Sequence, residues 1–166
     1  DRIAAFGHPM FQGGSVELPL TTVWIHAIVP SYNNSFKVGS AGPIIGSIRQ
    51  DARAGVMGML GPAPPMLPVR IVLQGPYGRD VFNYRLARGT AIEPTLLSWT
   101  VSNSILQHGW RTGDASVDAR LTLHYNGSEK LVRRDRMATK APATEIAERV
   151  LAPVPLMIMN PFGRVS

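Results

Sequence analysis

The chain has 166 residues, enough for one domain, or one domain with a small appendage, to bury a core without cross-links. It has no cysteine, which excludes thiol catalysis, thiolate metal sites and disulfides together. The net charge of +6 comes almost wholly from arginines that are scattered apart from Arg133, Arg134 and Arg136, so no nucleic-acid partner is expected.

Sixteen glycines and fourteen prolines cut the chain into short elements, the pattern of strands joined by turns. Residues 2–6 (RIAAF) read as a short buried strand. Residues 15–20 lead into TTVWIHAIVP (21–30), rich in β-branched and aromatic side chains. There Thr22, Trp24, His26 and Ile28 share one face, while Val23, Ile25, Ala27 and Val29 form a wholly apolar one. A polar turn over 30–39 returns to a strand. Residues 43–51 and 54–60 read as a strand pair joined near Ala52 and Arg53. Their glycines (46, 55 and 58) imply bulges or close backbone approach.

The proline-rich 61–69 is a connector, since proline donates no ladder hydrogen bond. Residues 69–75 and 80–88 are strands around a GPYGR turn, with Phe82, Tyr84 and Leu86 on one face. The period changes over 92–109, where Leu96, Leu97, Val101, Ile105 and Leu106 make a helical stripe that Gly109 can end. Residues 116–127 alternate again, with Val117, Ala119, Leu121, Leu123 and Tyr125 inward. Asn126-Gly127 is the strongest hairpin signal in the chain. Residues 142–152 form a second helix, with Ile146, Val150 and Leu151 inward. No apolar run reaches the ~20 residues that span a bilayer; LAPVPLMIM (151–159) is the longest and holds two prolines.

Gly7-His8-Pro9 places an imidazole between two turn residues. A neutral imidazole there takes a proton near pH 7, as activation of a serine requires; an ordinary turn histidine has the same pattern. His26 lies within a strand, His108 at a helix end and His124 on the outward face of a hairpin. None has the spacing of a metal site, so no metal and no cofactor are expected. The small-residue stretch VGSAGPIIG (38–46) reads either as a turn presenting backbone amides to an anion, with Ser40 as a conceivable nucleophile, or as a plain inter-strand loop. Asp51 reads either as a carboxylate orienting a histidine or as a turn residue capping its own backbone.

The first third of the chain resembles the SpoIVB-type serine peptidase family, the signalling proteases of bacterial sporulation and their longer relatives. The resemblance rests on AFGHPM, on GSVELPLTTVWIHAIVPS and on SFKVGSAGPIIGSIRQDARAGVMGMLG with PPMLPV, and covers about residues 2–73. NPFGRVS is less specifically similar to the continuation in the longer relatives. The resemblance implies a two-barrel, trypsin-like β architecture, with His8 as the catalytic general base and Gly7 beside it. The family's serine stands in a Gly-Met-Ser-Gly-Ser-Pro motif that this chain lacks. Residues 39–43 imitate it, but Gly42 occupies the nucleophile's place before Pro43. The longer relatives carry the serine motif ahead of the histidine motif, so the serine is expected before Asp1 and the chain reads as an excerpt of a longer protein.

The expectation is therefore a mainly β protein with two helices, made of a peptidase-like segment (1–75) and a β/helix extension (76–166). It would supply His8 to a serine endopeptidase acting on a polypeptide substrate or on its own chain. Asp51 would orient, with Gly7, Ser40 and Gly42 near the substrate or its turn. The resemblance implies an extracytoplasmic or cell-envelope site. The other reading is a non-catalytic β-domain of a bacterial cell-envelope protein that binds a partner.

Overall fold

A computed structural model describes residues 1–5, 9–76, 78–89, 92–110, 113–125 and 129–158. The protein is mainly β, and the chain divides into two compact units: Asp1–Met66 with Ala87–Ala91, and Leu67–Leu86 with Ile92–Ser166. The division falls inside a strand, and the stretch that follows the second unit's first hairpin returns to the first unit.

The first unit is a four-stranded antiparallel sheet. Its strands are β1 (Arg2–Ala5), β2 (Gly14–Val29), β3 (Phe36–Ala52) and β4 (Gly55–Leu60), in the order β1-β4-β3-β2. The β3–β4 hairpin turns at Arg53-Ala54, close to where the sequence places it. Its strands approach so closely that a Cβ on Gly46 would lie 2.1 Å from the Met59 carbonyl oxygen, and one on Gly58 2.9 Å from that of Ser47. β1 is an edge strand and largely exposed, not buried as its apolar composition suggests, because only β4 covers it.

β2 and β3 are much longer than their neighbours. β4 pairs with β3 only from Gly46 onward, so residues 21–29 and 36–44 continue as a two-stranded ribbon. Register shifts at Leu20/Thr21, Thr21/Val23 and Ile25/Ala27 interrupt its alternation. The apolar face expected to be buried is exposed on this ribbon, as is the opposite face: Val23, Trp24 and Ile28 are 59%, 75% and 65% accessible. Pro43 is tolerated because β4 does not reach that part of β3.

The second unit holds two hairpins and the helices. β5 (Met66–Gly75) pairs with β6 (Gly78–Ala87), and β7 (Ala115–Tyr125) with β8 (Glu129–Thr139). β5 begins earlier than the connector reading allowed and contains Pro68; a two-stranded sheet has only edge strands, where proline costs no ladder bond. Helix α1 (Glu93–Gln107) starts with Pro94 in its first turn and ends before Gly109, whose φ is +100°. Helix α2 (Pro142–Leu151) is followed by the short α3 (Pro153–Ile158).

One cluster of this core joins Ile105, Met137, Ala143, Ile146 and Val150, packed by Val117, Ala119 and Leu121. The other joins Leu86, Leu97, Leu151 and Val154 with Leu96, Tyr84 and Leu123. Leu106, assigned to the helix stripe by spacing, is exposed instead. The pairing of β7 with β8 runs without a shift from Ala115↔Thr139 to Tyr125↔Glu129, as a tight hairpin demands; Asn126 and Gly127 themselves lie outside the described residues. Among those residues no closed barrel is present, and no helix is long and apolar enough to cross a membrane.

Candidate functional site

Gly7 and His8 lie outside the described residues. The segment that follows them is described, and Asp51 organises it. Asp51 sits near the end of β3, 1% accessible, with its carboxylate turned to the loop between β1 and β2. Oδ1 accepts the backbone N–H of Met10 at 2.7 Å; Oδ2 accepts those of Phe11 at 2.6 Å and Gly13 at 3.3 Å. Gln12, between them, has a φ of +56°, a left-handed conformation that costs a non-glycine residue and that the tight turn imposes.

Burial pushes the Asp51 carboxyl up, but the N–H groups of Phe11, Met10, Gly13 and Gln12 together outweigh it and hold the group below its ordinary range. A charged carboxylate accepting several amides is a strong local clamp. Its described partners are those amides. The aspartate therefore neither caps its own turn nor, within the described residues, holds an imidazole. It fixes the turn that begins directly after His8, across about forty residues of chain.

Ser40 and Gly42 lie within β3, not in a turn. A Cβ on Gly42 would meet Thr22 Oγ1 at 2.2 Å, and one on Gly39 the Trp24 carbonyl oxygen at 2.7 Å. These glycines permit close approach of β2 and do not form a cradle. Ser40 Oγ lies 2.8 Å from His26 Nε2, a serine–histidine contact that spacing alone did not suggest because the partners are fourteen residues apart on facing strands. Both are exposed, and among the described residues no carboxylate bonds His26. The pair has the geometry for proton transfer but stands on open ribbon without a cleft to exclude water.

A second pairing lies in the other unit. His108 Nδ1 is 2.6 Å from Asp80 Oδ2, with the imidazole side chain fully buried and set edge-on to Trp110 at 5.1 Å. His124 is exposed on β7, as its alternation implies. Among the described residues no group of three His, Cys, Asp or Glu could hold a metal ion.

A hollow of about 520 Å³ adjoins the end of β1 and the β3–β4 turn, lined by small side chains of Ala4, Ala5, Ala52, Ala54 and Gly55 and by Gln50. It lies next to the point where the chain enters Phe6-Gly7-His8. No family model, curated protein or solved structure matches this chain.

Proposed function

We propose that the chain contributes the general-base histidine of a SpoIVB-like serine peptidase. The observation that carries the reading is the clamp of Asp51 on Met10, Phe11 and Gly13. A base must be held in register with its proton donor, and misplacement of about 1 Å costs roughly a hundredfold in rate. In this reading His8 takes the proton of a serine supplied from outside this chain, that oxygen adds to the peptide carbonyl, and the imidazolium returns the proton to the amine as the C–N bond breaks. Asp51 is a positioning residue that acts through the loop. The outer edge of β1, open among the described residues, is suited to an extended polypeptide added as a further strand. An extracytoplasmic location accompanies this reading.

The test is labelling of the full-length protein with a fluorophosphonate. Labelling should be lost in His8→Ala and fall roughly a hundredfold in rate in Asp51→Asn, with the sheet intact by circular dichroism. Absence of labelling in a folded wild-type protein overturns the proposal. That result would favour a non-catalytic β-domain of a cell-envelope protein, a reading supported by the exposed apolar ribbon.

A further inference from the structure

Strand alternation gathers cations that look scattered along the chain. In the β7–β8 hairpin Val117, Ala119 and Leu121 pack against the helices, so the residues between them face away. On that outer face Arg120 and His124 of β7 are exposed, and so are Lys130, Arg134 and Arg136 of β8.

Register decides what stands opposite what. It runs without a shift and pairs Asp118 with Arg136, Arg120 with Arg134 and His124 with Lys130. The first of these is an ion pair across the strands, Arg136 Nε donating to Asp118 Oδ2 at 2.9 Å. The second sets two guanidinium groups side by side, and like charges directly opposite each other destabilise a sheet. Among the described residues Arg120, Arg134 and Lys130 make no ion pair. The face therefore carries four cations, Arg120, Lys130, Arg134 and Arg136, against one carboxylate, Asp118. Anions brought to it relieve the repulsion between Arg120 and Arg134, a cost already present in the free hairpin.

The layout of the face selects the class of anion. From Lys130 to Arg136 the cations extend over about 20 Å of strand. No Phe, Tyr or Trp stands among them to stack a base. The guanidinium groups of Arg120 and Arg134 are fixed by no carboxylate, so they lack the preset geometry by which a folded acidic protein or a single phosphate is recognised. A fluid array of lipid phosphates needs no preset geometry, because its charges move to meet the protein's. Exposed Val132, in the midst of the cations, suits the apolar side of such an interface.

We propose that the outer face of the β7–β8 hairpin is a docking surface for an anionic lipid bilayer. Arg120, Lys130, Arg134 and Arg136 meet the headgroups, and the hairpin lies on the surface without entering the hydrocarbon.

Co-sedimentation with vesicles tests this on the whole chain. Vesicles of phosphatidylcholine mixed with phosphatidylglycerol should retain the wild type, and vesicles of phosphatidylcholine alone should not. Binding should fall steeply as added salt shortens the Debye length. Arg120→Gln with Arg134→Gln should weaken partitioning roughly thirtyfold, the effect of losing two cations at such a surface. This variant should melt no lower than the wild type, because it loses a like-charge pair. Lys37→Gln with Arg53→Gln removes the same net charge from exposed positions of the first unit and should weaken partitioning less than about threefold. A wild type that ignores the anionic vesicles, or binds both kinds equally, overturns the proposal. So does equal weakening by the two double variants, which would make net charge alone responsible. A chain that binds polyglutamate or a DNA duplex through Arg120 and Arg134 while leaving the vesicles free overturns it too.

Discussion

Strands β2 and β7 carry the same kind of pattern and meet different fates. Each carries an apolar face of alternate side chains over about ten residues. The apolar face of β7 (Val117, Ala119, Leu121) is packed against Ile105, Ile146 and Val150 from α1 and α2. The equivalent face of β2, from Val23 to Val29, meets solvent. Among the described residues the first unit buries the hydrophobic side chains of Leu18 and Val56, and the second unit buries ten, from Leu86 to Val154. Alternation states which face needs covering. Whether it is covered depends on the rest of the unit, and among the described residues only the second unit has helices to do so.

The comparison is broken most severely in the second unit. Ile105→Ala removes a side chain at the centre of a core cluster and should destabilise by about 3–4 kcal/mol in denaturant titration. Gly46→Ala in the first unit should cost about 3 kcal/mol or unfold the sheet, since the Met59 backbone is fixed by its own pairing; near-neutral behaviour would contradict the close strand approach. Acid distinguishes the loop clamp. Asp51 is held below its ordinary range, so its stabilisation is complete above about pH 4 and is lost as the pH falls through the lowered value. Asp51→Asn should remove that acid-sensitive step, visible as loss of the pH dependence of the exchange protection of the Met10 and Phe11 amides, corrected for intrinsic rates. The smallest change belongs to the ribbon: Ile28→Thr should alter monomer stability by less than about 0.5 kcal/mol, because its side chain packs on little.

Local signals were legible in the sequence and long-range ones were not. The helix over Leu97, Val101 and Ile105, the hairpin ending near Asn126 and the crowding at Gly46 and Gly58 all follow from period or residue type within a few positions. Exposure of the ribbon does not, since it depends on β4 stopping at Leu60. The site was readable only in part. Asp51 stood out as a carboxylate in a turn, but its partners lie 38 to 41 residues away, and no spacing rule reaches that far. His26 with Ser40 and His108 with Asp80 were missed for the same reason, being joined by strand register and helix packing. The reading of 39–42 as a turn failed because bulges let a small-residue stretch run on inside a long strand.

The span between Asp51 and Met10 also bears on how the molecule assembles. Ordering that turn requires closure of a forty-residue loop, which is entropically costly until the intervening hairpin has formed. The turn over Met10 to Gly13 is thus expected to be set after the sheet, late on the folding route. Substitutions at Asp51 should speed unfolding while leaving the refolding rate almost unchanged. A chain emerging from synthesis would form its sheet before it fixed the segment from Met10 to Gly13.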